Sequence, residues 1–136
     1  MGKDEVMLLV EDDPDDMEFA LLALRENGLD ENVVIARDGQ EALDYLFSGD
    51  ARAGFVLLDL KMPRVDGLEV LHQMRSTGST CPVVILSSSN EERDLEACYR
   101  LGANGYVRKS LDYSEFFDAI GRIGRFWLEL NEAPCC

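Results

Sequence analysis

Five short runs of β-branched and aliphatic residues, Val6 to Val10, Val33 to Ala36, Phe55 to Leu58, Val83 to Leu86 and Tyr106 to Val107, alternate with longer stretches in which apolar residues recur every three or four positions. The short runs predict buried strands and the longer ones amphipathic helices. In the first helix Asp13 caps, Pro14 suits the first turn, and Asp15 and Asp16 complement the positive end. Met17, Ala20, Leu21 and Leu24 form its inner stripe, and Gly28 ends it. The second helix is expected from about Asp38 to Phe47 with Leu43, Leu46 and Phe47 inward, and the third from Asp66 to Thr77 with Leu68, Leu71 and Met74 inward. A fourth starts at Asn90 and buries Leu95, Cys98 and Tyr99, ending before Gly102. The fifth opens with Asp112 three residues ahead of Glu115, a capping-box spacing, and turns Phe116, Ile120, Ile123 and Trp127 inward. Gly121 and Gly124 inside it each cost about 1 kcal/mol against alanine, which predicts close packing against a neighbour. Parallel strands need crossover connections, and these are right-handed, so the alternation predicts a doubly wound α/β fold: a five-stranded parallel sheet with helices on both faces.

That topology gathers the polar residues that end the apolar runs. Asp12, Asp59, Ser87 and Lys109 come to one edge of the sheet, where open α/β folds place their sites. Glu11, Asp12 and Asp13 form an acidic cluster at the end of the first strand, and crowded carboxylates resist full ionisation unless a cation joins them. Oxygen donors without Cys or His nearby favour a hard metal, and a small site that retains waters suits Mg²⁺ better than Ca²⁺. Helix capping is the plainer role for Asp13. Asp59 sits at a strand-to-loop junction where its carboxylate can act as a nucleophile toward a phosphorylated donor. Phosphoryl transfer then needs a metal, a cation and hydrogen-bond donors around the acceptor, which Mg²⁺, Lys109 and Ser87 supply. Taken singly, Lys109 reads as a surface lysine, Ser87 as a turn hydroxyl and Asp59 as a loop acid; their joint placement argues for a site.

Size and charge narrow the rest. The 136 residues predict one domain spanning the chain. Thirteen basic against twenty-seven acidic side chains give a net charge of -14, which repels nucleic acid and anionic lipid, and no basic run offsets it. The apolar runs are too short to span a bilayer and Met1 to Glu5 lacks a signal-peptide stretch, so a cytoplasmic protein without membrane contact is expected. Cys81, Cys98, Cys135 and Cys136 show no zinc spacing. His72, the sole histidine, falls on the third helix away from the strand ends and reads as a solvated surface residue.

LLVEDD at Leu8 to Asp13, VLLDLKMPRVDGLEVL at Val56 to Leu71, VVILSSS at Val83 to Ser89 and LGANGYVRKS at Leu101 to Ser110 resemble response-regulator receiver domains over nearly the whole chain. The resemblance implies the strand order 2-1-3-4-5 of the chemotaxis receiver. It makes Asp59 the phosphoacceptor, Asp12 the direct Mg²⁺ ligand with Glu11 acting through water, and the backbone carbonyl of Lys61 a further ligand. It also implies that Ser87 hydrogen-bonds the phosphoryl oxygen, that Lys109 pairs with it, and that Tyr106 is the aromatic whose rotamer follows the Ser87 shift. Lys61 and Ser89 flank the pocket mouth and are expected to tune phosphoryl lifetime. The resemblance further implies that the phosphoryl donor is a histidine kinase or a phosphotransfer domain of another protein, and output is expected to be a protein contact.

The segments RDGQEALDYLF, SNEERDLEACYRLGAN and RFWLELNEAPCC resemble, more narrowly, single-domain regulators that partner bacterial phytochrome histidine kinases. For this subgroup a homodimer through the fourth helix, fifth strand, fifth helix and tail is implied, with residues 127–136 expected to form an extension of the last helix and a tail. Phe126, Trp127, Leu128 and Leu130 are more apolar groups than one buried stripe needs. One departure stands out: the family usually has proline after the lysine, joined by a cis peptide, where this chain has Ser110. A non-prolyl cis bond costs about 3 kcal/mol, so the expectation is a trans Lys109–Ser110 peptide with a reshaped loop, or a strained cis one. Two rival readings follow: a phosphorylation-independent pseudo-receiver, and a haloacid-dehalogenase-like phosphatase, whose nucleophile belongs at the end of the first strand, where this chain reads EDDPDD.

Overall fold

A computed structural model describes residues 6–49 and 53–132. The expectations for Met1 to Glu5 and for Cys135 and Cys136 lie outside the described residues. Strands β1 (Val6–Val10), β2 (Val33–Ala36), β3 (Ala53–Asp59), β4 (Val83–Ser87) and β5 (Gly105–Arg108) form one parallel sheet in the order β2-β1-β3-β4-β5. Helices α1 (Pro14–Glu26), α2 (Gly39–Leu46), α3 (Gly67–Ser76), α4 (Glu92–Arg100) and α5 (Tyr113–Gly124) connect them, and α5 runs on into a π-helical turn over Arg125–Leu130.

Strand side chains alternate between two apolar layers. Met7, Leu9, Phe55, Leu57, Val84 and Leu86 pack on Met17, Ala20, Ala23 and Leu24 of α1 and on Phe116, Ile120 and Ile123 of α5. On the other face Leu8, Val10, Val56, Leu58, Val83 and Ile85 meet Ala42 and Leu43 of α2, Val70, Leu71 and Met74 of α3, and Cys98 of α4. A Cβ on Gly121 would fall 2.6 Å from Asn27 Nδ2, and one on Gly124 2.8 Å from Leu29 Cδ1, so the expected close approach is real and lies against the end of α1.

Three inward assignments are corrected. Phe47 is exposed because it caps α2 after its last helical residue. Leu95 and Tyr99 are exposed as well, leaving Cys98 as the buried residue of α4. Helix α4 packs against β5, an edge strand with no neighbour beyond it, so there is sheet for a single buried line and not for a stripe. It also starts two residues later than Asn90, capped by Glu91 without a side-chain hydrogen bond. Of the apolar excess near the end of the chain, Trp127 and Leu128 pack on the α1/α5 layer, whereas Phe126 and Leu130 are exposed. No described peptide bond is cis, so Lys109–Ser110 is trans. The Ser110 hydroxyl is built into the entrance of α5, donating to Glu115 Oε2 at 2.7 Å and accepting from the Asp112 N–H at 3.1 Å.

Candidate functional site

The sheet register brings the strand ends together. Val10 pairs with Leu58, Asp59 with Leu86 and Ser87 with Arg108, and the Lys109 N–H donates to the Ser87 carbonyl at 2.8 Å. Glu11, Asp12, Asp59, Ser87 and Lys109 therefore emerge at one edge. Oxygens of Glu11, Asp12 and Asp59 all lie within 4.8 Å of one another, with Glu11 and Asp59 buried and Asp12 exposed. The entrance to α3 presses on this strand end, since a Cβ on Gly67 would fall 2.4 Å from the Asp59 carbonyl oxygen.

Lys109 is the cation of the cluster, its side chain 11% exposed. Its Nζ donates to Glu11 Oε1 at 2.6 Å and to Asp16 Oδ2 at 2.9 Å, and stands 3.7 Å from Asp59 Oδ1. Asp16, which the sequence explains through the helix dipole alone, is a further member of the cluster. Its position in the first turn of α1, directly after β1, is the signal that places it at the same edge. Burial pushes the Asp59 carboxyl up to about 8, reinforced by the charge of Glu11 and opposed by Lys109. Burial works to lower Lys109, but its hydrogen bond to Glu11 and the charge of Asp59 outweigh this and hold it above the usual lysine range. Asp13 accepts from the Asp15 and Asp16 N–H groups as the cap of α1.

The other side of the pocket is built from hydroxyls. Ser87 is fully buried, and its Oγ accepts from the Ser89 N–H at 3.1 Å. The Tyr106 hydroxyl donates to the Ser89 carbonyl at 3.0 Å, so the aromatic expected to follow Ser87 is joined to it through Ser89. The Lys61 ammonium stands 3.6 Å from Asp94, and Asp94 also accepts from Ser89 Oγ at 2.6 Å. His72 is exposed on α3. In the loop after Asp59, Arg64 takes the left-handed conformation, φ 64°, and its guanidinium reaches the cap of α2, Asp38, at 2.5 Å.

Chemically this is a buried carboxylate flanked by an ammonium and a hydroxyl, beside two further carboxylates. The donor set is all hard oxygen and fits a divalent cation. A family model for the response regulator receiver domain matches residues 7–121. The chain belongs to the response-regulator receiver family. Among its relatives, Response regulator Rcp1 of Synechocystis sp. is 34% identical over 137 residues, covering 96% of this chain and 93% of that protein. The Mn²⁺-bound form of Rcp1 superposes with a TM-score of 0.88, covering 96% of this chain and 99% of that one. The phosphorylated cyanobacterial phytochrome response regulator RcpA, 36% identical, gives 0.88 over 96% and 98% of the two chains. The bacteriophytochrome response regulator AtBRR, 46% identical, gives 0.68 over 96% and 100%. Receiver membership makes the chain a signalling domain partnered by a histidine kinase, and the doubly wound order 2-1-3-4-5 is the one its structural relatives share.

Proposed function

We propose that this receiver works in a phytochrome-linked phosphorelay, in which Asp59 takes a phosphoryl group from the phosphohistidine of a partner kinase and thereby switches a protein-interaction face. The observation that carries the reading is the buried Asp59 carboxylate set among Glu11, Asp12 and Lys109. An Asp59 oxygen attacks phosphorus, the bond from phosphorus to the donor nitrogen breaks, and the imidazole leaves. Lys109 stands beside the acceptor to pair with the incoming oxygens, and Ser87 donates its hydroxyl to them. Asp12, Asp59, Glu11 and the Lys61 carbonyl would hold Mg²⁺, and the ion would supply neutralisation of charge on the transferring group. Tyr106 follows Ser87 through Ser89. The kinship with RcpA and AtBRR supports a phytochrome kinase as the donor.

This is self-modification and not turnover. Against a haloacid-dehalogenase-like phosphatase stands the commitment of Asp13 to capping α1, with Pro14 following it. The trans Lys109–Ser110 peptide leaves Lys109 bonded inside the cluster, which weakens the pseudo-receiver alternative. Output through a homodimer of α4, β5, α5 and the tail is supported by the exposed Leu95, Tyr99, Phe126 and Leu130. The acidic surface argues against nucleic acid, and no described helix is long and apolar enough to cross a membrane, in keeping with a cytoplasmic role. Intact mass after incubation with Mg²⁺ and a small phosphodonor tests the chemistry. One added phosphoryl group on the wild type and none on Asp59→Asn is expected, and an unmodified wild type overturns the reading. Sedimentation showing only monomer, with and without phosphorylation, overturns the dimer.

A further inference from the structure

Asp94, in the first turn of α4, belongs to no strand end and to no carboxylate cluster, yet it holds both loops that flank the acceptor. Its Oδ2 accepts from Ser89 Oγ at 2.6 Å and lies 3.6 Å from Lys61 Nζ. Ser89 is bonded in turn to Ser87 through its N–H, to Tyr106 through its carbonyl, and to the Glu91 N–H through its hydroxyl. Lys61 stands two residues beyond Asp59, its side chain is 68% exposed, and Asp94 is the carboxylate it pairs with. The Ser89 hydroxyl, with Lys61 adding to it, holds the Asp94 carboxyl below the usual carboxylate range, so it is a full negative charge at neutral pH.

Resting on the phosphoacceptor reading of Asp59, we infer that Asp94 is a positioning residue that keeps the Lys61 ammonium at α4 and away from the pocket mouth. A phosphoryl group on Asp59 brings nearly two negative charges. These compete with Asp94 for Lys61, while the same group draws on the Ser87 hydroxyl that anchors Ser89. Both partners of Asp94 are then pulled toward the pocket, and the first turn of α4 loses two of the polar contacts that hold it. The contest runs both ways: whatever weakens Asp94 in the resting protein frees Lys61 to meet an incoming anionic donor.

The test is the initial rate of Asp59 phosphorylation by acetyl phosphate in Mg²⁺, followed by intact mass. Here an Asp59 oxygen bonds to phosphorus as the bond from phosphorus to the acetyl oxygen breaks and acetate leaves. The series is wild type, Asp94→Asn, Lys61→Met, the double variant, and Asp94→Glu. Asp94→Asn is expected to react about three- to fivefold faster than wild type, the size of one exposed ion pair, and the gain should shrink as salt rises. In the Lys61→Met background the same change should leave the rate alone, and Asp94→Glu should react at the wild-type rate. An equal acceleration in both backgrounds means mere removal of a negative charge and overturns the inference; so does no acceleration in either. An unphosphorylated wild type overturns the phosphoacceptor reading instead, and the inference with it.

Discussion

The two sides of the acceptor pocket are held by different physics. On the α5 side, Lys109 is buried among Glu11, Asp16 and Asp59, and beneath it Phe116, Ile120 and Ile123 interlock with α1 and the sheet. On the α4 side one cysteine is buried, and the helix is tied to the pocket through Ser89, Asp94 and an exposed lysine. Apolar packing is dense and cooperative, whereas half-solvated polar contacts rearrange for small changes in charge. The α5 side is therefore the frame and the α4 side the part that responds.

The contrast breaks most sharply in the cores. Ile120→Ala should cost about 3 to 4 kcal/mol of unfolding free energy, because the site is fully buried and walled by the sheet. Cys98→Ala deletes one buried sulfur and should cost about 1 kcal/mol, since a helix with exposed flanks relaxes into the space. Urea titration of both variants checks the ranking, and equal losses would show α4 to be as firmly packed as α5.

Next in size is the buried cation. Lys109→Ala leaves the Glu11 carboxylate buried without its partner and should destabilise the metal-free protein by about 3 kcal/mol at neutral pH. Lys61→Ala, removing a cation that is 68% exposed, should cost well under about 1 kcal/mol. Thermal melts across pH distinguish the two.

Much of this division was readable beforehand, and the unread part has a physical source. The strands announce themselves as β-branched runs, and in a parallel sheet their polar ends must meet at one edge, which is why Asp12, Asp59, Ser87 and Lys109 can be named from spacing. The α5 stripe is equally plain because a helix covering the sheet interior shows the 3.6-residue period. Leu95 and Tyr99 mislead because α4 has the same periodicity but lies over an edge strand, a fact of topology and not of local pattern. Asp16 and Asp94 were missed as site residues because each acts through a contact distant in sequence, Asp16 with Lys109 and Asp94 with Lys61. An acid in the first turn of a helix already has a sufficient local reason to be there.

The frame side also carries a pH signature. Burial and the charge of Glu11 raise Asp59 from 3.8 to about 8, so between those values the native protein holds a proton that the unfolded chain has released. Stability from this group is fully present below 3.8 and is lost as pH rises through about 8. With a chelator present, Asp59→Asn should flatten that decline and be the more stable protein above pH 8, by on the order of 2 kcal/mol. Unfolding free energies of the two proteins at pH 6 and 9 check it, and parallel curves would mean that Lys109 already neutralises Asp59 in full.

The smallest effect probes the responsive side directly. Asp94→Asn removes an ion pair with an exposed lysine and weakens one hydrogen bond to Ser89, so its global cost should stay below about 1 kcal/mol. Its local consequence should be larger than that figure suggests. Glu91 caps α4 without a side-chain bond, and the Glu91 N–H itself leans on Ser89 Oγ, so the start of the helix depends on the same hydroxyl that Asp94 orients. Amide exchange should quicken at residues 91–95 while the amides of Ile120 and Ile123 stay as slow as in the wild type. Uniform quickening across both helices would mean that α4 and α5 open as one unit, and the division between frame and responder would fall.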